Sequence, residues 1–281
     1  THASRGSEVI MEYINTHTHT GLTGHGNGTI AEVVQAADEA GISILALTEH
    51  FPLSHEVDPD NFVSMPWDAL DPYVHEIEAQ RALHPTMQIL VGTELDWLGD
   101  YEDRDLSSID WSRFDIILGS VHYLDMWPFD DPEQVDHWDE VGHDAIWERY
   151  FDQFCTACVS VMPYTVMAHP DLVKKFAKYP SVAFDRARAY AQAAEAAAAG
   201  ERMIEVNTSG AYYACKEPFP HIDLLTEFRK AGVPVTLGTD AHEPCNVDRG
   251  IDAGLKLLYE AGYREITALL PGGERRAIPL S

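Results

Sequence analysis

Residues 13–26 read YINTHTHTGLTGHG and place His17, His19 and His25 within nine positions, directly behind an apolar run. On an extended strand alternate side chains point the same way, so His17 and His19 share a face and can hold one ion together. A His-x-His pair fills only part of a coordination sphere. A site here therefore needs partners from elsewhere in the chain.

Those partners depend on the fold. Seven short apolar runs recur along the sequence: VIMEYIN, ISILALT, MQILVGT, FDIILGS, YTVMAH, RMIEVNT and VPVTLGT. They alternate with helical segments, the pattern of parallel βα units, and their continuous apolar character suits strands covered on both faces. The helices carry recognisable ends. Thr29 and Glu32 form a capping box that opens TIAEVVQAADEAG, with Gly41 as its stop, and Gly200 and Gly232 close two later helices. No linker or internal repeat interrupts the pattern. The expectation is an α/β fold, a distorted seven-stranded (β/α)7 barrel in a single domain over residues 8–281. Residues 1–7, THASRGS, are set apart as a frayed or added end.

In a parallel barrel all strand C-termini meet at one face. Six of the 14 histidines fall there. His17 and His19 follow EYIN, His50 follows ILALTE, His122 follows IILGSV, His169 follows YTVMA and His242 follows TLGTDA. Glu94 in LVGTEL and Asp240 in LGTDAH occupy the same register. Packing this much imidazole and carboxylate together without a cation costs several kcal/mol in desolvation and repulsion. With His25 the donors number nine, too many for one zinc-like ion. They point to a bi- or trinuclear site of the kind that serves phosphoester hydrolysis, with zinc, iron or manganese as the divalent ions. His2, His75, His84, His137, His143 and His221 lie at the chain start, in helical or polar segments or at a helix start and are assigned to solvent. His55, in the loop after TEHFPL, is a candidate substrate contact.

The formal charge of −27, from 46 acidic against 19 basic residues, disfavours nucleic acid and anionic membranes as partners. A small phosphorylated substrate remains compatible, since a few local cations override the field inside a pocket. The sequence has no long apolar span and no leader pattern, so a cytoplasmic location is expected; the oligomeric state is not set by the sequence. No G-x-G-x-x-G follows the first strand, which disfavours a dinucleotide-dependent redox enzyme. Cys155 and Cys158 have redox-pair spacing but lie in AIWERYFDQFCTACVSVM, an amphipathic helix, and are read as packing residues.

The motifs HTHTGLTGHG, LTEHFPL, GTELDW, GSVHYLDMWPFD, AHPDLVKKF, EVNTSG and LGTDAH resemble, in order, those of the polymerase-and-histidinol-phosphatase (PHP) superfamily. The GSVHYL…WPFD and AHPDLVKKF stretches are most similar to the bacterial histidinol-phosphate phosphatases. The resemblance implies a trinuclear site: His17, His19, Glu94 and Asp240 on the first ion, Glu94 bridging to a second completed by His122 and His169, and His25, His50 and His242 on the third. It implies hydrolysis of L-histidinol phosphate to L-histidinol and phosphate, in histidine biosynthesis, by a metal-bridging hydroxide. Asp240, His242 or a metal-bound water would protonate the leaving oxygen. The alternative substrate is a nucleotide monophosphate or another small phosphomonoester. The family pattern favours Lys175 and Lys216 as phosphate binders, with Lys174 a further candidate, and Asp96, Glu56 and Asp125 stand in mouth loops where they suit the substrate's amine.

Overall fold

The computed structural model describes residues 12–280. The segment set apart at 1–7 and the head of the first expected strand lie outside the described residues. Seven parallel strands form one sheet in chain order: β1 (Tyr13–Asn15), β2 (Ile42–Leu47), β3 (Gln88–Asp96), β4 (Ile116–Ser120), β5 (Val166–Met167), β6 (Met203–Asn207) and β7 (Val235–Gly238). The sheet curls until its edges meet, where Thr16 N–H donates to Leu237 O at 3.0 Å and Asp240 N–H to His17 O at 2.9 Å. The result is a nearly closed, uneven barrel; β5 spans only two residues and the β1–β2 register shifts between Tyr13 and Ile14.

Helices α1 (Ile30–Glu39), α2 (Leu70–Leu83), α3 (His143–Val159), α4 (Arg186–Ala199), α5 (Ile222–Lys230) and α6 (Ile251–Glu260) surround the barrel. The expected capping box is present, with Thr29 accepting from Glu32 N–H and Glu32 accepting from Thr29 N–H. Its helix buries Ile30, Val33, Val34 and Ala37 on one side, an i, i+3, i+4, i+7 stripe. Strand β2 is inaccessible at Ile44, Leu45, Ala46 and Leu47, as strands covered on both faces must be. Cys158 is buried on the core side of α3 and both α3 cysteines are free thiols.

Two hairpins lie outside the barrel sheet. The shorter pairs Tyr123–Leu124 with Trp127–Pro128 through a turn at Asp125 and Met126, both at positive φ. The longer pairs Glu265–Leu269 with Arg275–Pro279 near the C-terminus. Among the described residues no helix is long and apolar enough to cross a membrane.

Candidate metal centre

The barrel delivers its polar groups to one face. His17, His122, His169 and Asp240 each stand two residues beyond the end of β1, β4, β5 and β7, while Glu94 lies on β3 itself. His169 (φ 29°) and Asp240 (φ 54°) occupy the left-handed region, conformations that non-glycine residues hold only where the surroundings enforce them.

The innermost group is compact. His17 Nε2 lies 3.0 Å from His19 Nε2, 3.2 Å from Glu94 Oε2 and 3.5 Å from Asp240 Oδ1. His19 Nε2 lies 3.3 Å from Glu94 Oε2 and 3.2 Å from Asp240 Oδ1. Four ligands at zinc bond lengths around a tetrahedral ion stand about 3.3 Å from one another. Five of the six edges of that figure are therefore present before any ion is placed, and the donor set fits a divalent metal.

Glu94 reaches a second group with its other oxygen. Oε1 lies 2.9 Å from His169 Nε2 and 3.6 Å from His122 Nε2, and accepts from Ser120 Oγ at 2.5 Å. A third group lies further out, where His25 Nε2 and His242 Nε2 approach to 3.1 Å. His50 stacks on His19 with ring centroids 4.2 Å apart. Among the described residues neither His50 ring nitrogen has a hydrogen-bond partner, although the ring is buried. Its Nδ1 stands 3.1 Å from Glu94 Oε2 without hydrogen-bond geometry, so the buried ring keeps both nitrogens free to act as metal ligands. His19, His50 and His242 can offer donor atoms within 4.8 Å of one another, as can His17, Glu94 and His169.

Of the carboxylates behind the imidazoles, the sequence singled out only Asp96, and for the substrate's amine instead of for His122. Glu205 accepts from His17 Nδ1 at 2.9 Å, Glu49 lies 3.3 Å from His19 Nδ1, and Asp96 pairs with His122 Nδ1 at 2.6 Å. The signal for Glu205 was present: a carboxylate inside the apolar strand RMIEVNT must be buried and so must be partnered. Gly238 makes room for it, since a Cβ there would collide with Glu205 Oε1 and lie 2.5 Å from His17 Cβ.

These surroundings set the proton affinities. Burial alone pushes His17 and His19 down, but the carboxylates of Glu205, Asp240, Glu94 and Glu49 outweigh it and hold both well above the ordinary histidine range. Burial likewise opposes His122, which Asp96 and Glu94 raise to about 9. Burial and the neighbouring His19 push His50 well down and His242 to about 3. Burial disfavours ionised Glu94 and Asp240, yet the facing histidines hold both well below the carboxylate range.

The groups open into a cavity of about 790 Å³. Its buried floor carries His50, Glu94 and His169, and Glu56, Asp103 and Asp131 lie on its rim. Lys175 is the only lysine or arginine lining it among the described residues. The Lys175 ammonium donates to Asp130 O at 2.9 Å and Asp130 Oδ2 at 3.0 Å. Lys174 instead buries its ammonium against Pro218 O at 2.8 Å, Asp171 at 3.2 Å and Glu217 at 3.3 Å. Lys216 is exposed outside the lining, in the loop whose Cys215 N–H donates to Lys175 O. His55 is exposed and also outside the lining. Of the acidic candidates, Glu56 lines the cavity, Asp96 lies behind His122, and Asp125 pairs with Arg149.

Residues 15–209 match the model of the PHP domain. The chain belongs to the PHP domain family. A probable histidinol-phosphatase of Deinococcus radiodurans is 32% identical over 262 residues, covering 90% of this chain and 95% of that protein. The histidinol-phosphatase of Bacillus subtilis is 25% identical, covering 88% of this chain and 99% of its own. Among solved structures, the histidinol phosphate phosphatase of Lactococcus lactis in complex with zinc, L-histidinol and phosphate superposes with a TM-score of 0.77 at 22% identity, covering 95% of this chain and all of that one. The PHP domain seen here shares that fold, and the sequence expectation of a distorted seven-stranded barrel is met.

Proposed function

We propose that this PHP-family phosphatase hydrolyses L-histidinol phosphate, releasing L-histidinol and phosphate. The observation that carries the reading is the distribution of charge in one cavity: a floor of clustered imidazoles and carboxylates, a single ammonium at Lys175, and carboxylates on the rim. A small monoester that is anionic at one end and cationic at the other matches that layout. The likeness to named histidinol-phosphatases along nearly the whole chain supports the same choice.

In this reading His17, His19, Glu94 and Asp240 hold one divalent ion, Glu94 with His122 and His169 a second, and His25, His50 and His242 a third, with zinc, iron or manganese as candidates. Bound there, such ions supply an activated water at neutral pH and neutralise charge on the phosphoryl oxygens. Lys175, braced by Asp130, binds the phosphate, in preference to Lys174 and Lys216, whose side chains stand outside the lining. Asp240 turns Oδ1 to the inner histidines, while among the described residues its Oδ2 is met by Asn207 Nδ2 and Ser209 Oγ, each at 3.4 Å. In this reading Asp240, through that loosely held oxygen, is the group that passes a proton to the leaving alkoxide. Glu56 and Asp103 on the rim meet the substrate's amine and imidazole.

The cavity also has room for a nucleoside monophosphate, so the test is a panel. Steady-state phosphate release from histidinol phosphate, AMP and an aromatic monoester is expected to rank histidinol phosphate first in kcat/KM. AMP in first place would reassign the substrate.

A further inference from the structure

Hydrogen bonds behind the imidazoles sort them into two kinds. His17, His19 and His122 face carboxylates through Nδ1, of Glu205, Glu49 and Asp96. His25 and His242 face main-chain carbonyls instead, of Phe62 at 2.9 Å and Asp240 at 3.0 Å. A carboxylate behind a ring raises the basicity of its other nitrogen and locks its orientation; a neutral carbonyl orients the ring with less charge. Depth runs the same way. His17 and His19 are inaccessible, whereas at the mouth His25 is exposed and His242 half-buried, with His50 buried beneath them. Anionic donors are graded too: the inner histidines His17 and His19 each face both Glu94 and Asp240, whereas in the mouth trio His50 faces Glu94 alone at 3.1 Å, His242 reaches Asp240 only at 3.6 Å, and the trio itself supplies no carboxylate.

We propose that the centre binds its ions with graded affinity, tightly in the buried His17–His19–Glu94–Asp240 group and exchangeably at the mouth, with Glu205 as the positioning residue of the tight end. The inference rests on the multinuclear reading given above. Glu205 is suited to the role because one buried carboxylate organises ligands from three strand ends. Its Oε1 holds His17, and its Oε2 accepts from the His169 main-chain N–H at 2.8 Å and from Asn207 Nδ2 at 3.1 Å. Asn207 in turn reaches Asp240 Oδ2. Loss of its charge weakens the grip of His17 on an ion while leaving the mouth untouched. The consequence for function is a phosphatase whose outer ion follows the free-ion concentration in a range where the inner group is already full.

The test uses purified enzyme loaded with cobalt(II) and equilibrated against chelator buffers that step down the free-ion concentration. Ions per chain are measured by elemental analysis, and ligand geometry is followed by the visible cobalt spectrum. Release is expected in two stages separated by about 10-fold or more in free cobalt, as outer-shell differences of this kind produce. His25→Ala abolishes the early stage alone. Glu205→Gln moves the late stage about 10–100-fold toward weaker binding and alters the inner cobalt bands. Glu49→Gln, acting on His19, gives the same sign and serves if the Glu205 variant does not fold. Release of all bound ions in one stage, or an early stage that persists in His25→Ala, overturns the graded affinity. Saturation at one ion per chain or none overturns the multinuclear reading itself, and the inference with it.

Discussion

Lys174 and Lys175 are neighbours in the chain whose ammonium groups serve different environments: the first is buried with Asp171, Glu217 and the Pro218 carbonyl, the second lines the cavity beside Asp130. Lys174 closes a single turn of 3-10 helix, Leu172–Lys174, that follows Asp171 at positive φ, and Lys175 is its C-cap. One lysine is therefore packed into the scaffold and the other faces the cavity. Lys175→Ala is expected to lower kcat/KM for histidinol phosphate about 10–100-fold, the worth of one charged hydrogen bond. Its stability should fall less than that of Lys174→Ala, because the Asp130 carboxylate keeps some access to water while Asp171 has none. Lys174→Ala should instead lose about 3–5 kcal/mol of stability, because Asp171 is left buried and unpaired. Lys216→Ala, at an exposed position, should move both values little. Phosphate-release kinetics beside thermal melts separates the three; a Lys175 variant with unchanged kcat/KM would remove it from the phosphate site.

Stability of chelator-stripped protein should peak near pH 6.5. Against the opposing effect of burial, the carboxylates around His17, His19 and His122 raise these imidazoles, His122 to about 9. Their contribution is complete below the unfolded pKa of about 6.5 and is lost as pH climbs through the folded values. Burial holds His50 well below its ordinary value and His242 at about 3, so falling pH favours an unfolded chain that accepts protons the folded one refuses. Melting temperatures measured across pH 4–10 in chelator should therefore fall on both sides. A flat or one-sided curve contradicts this balance.

Only one thiol should react quickly at pH 8. Burial pushes Cys155 up to about 11 and Cys158 higher still, and also raises Cys215. At pH 8 a thiol of pKa 11 is about one part in a thousand thiolate. Cys245 is exposed in the loop after β7. Titration with an aromatic disulfide should count one fast thiol per chain, abolished in Cys245→Ser. Rapid reaction at Cys155 and Cys158 would revive the redox reading of their spacing.

Strand-end histidines could be read in the sequence because the barrel turns a local rule, polar residues just past an apolar run, into convergence at one face. Alternation along an extended segment likewise pairs His17 with His19 without knowledge of the fold. Glu205 could not be matched to His17 in advance, since they are separated by 188 positions and meet only through barrel closure. Lys174 and Lys175 diverge because consecutive residues of a 3-10 turn point about 120° apart, and that turn, entered through Asp171 at φ 64°, is not signalled by composition. The Tyr123–Pro128 hairpin turns on Asp125 and Met126 at positive φ for the same reason.

The most direct test of the central claim joins two numbers on one sample: divalent ions per chain and kcat/KM for phosphate release from histidinol phosphate. At least two ions per chain are expected. Activity should be abolished by chelation, restored by a divalent ion, and removed by Asp240→Asn without unfolding the protein. Full activity in protein stripped of divalent ions, or no phosphate release from any monoester by protein holding two or more, would contradict it.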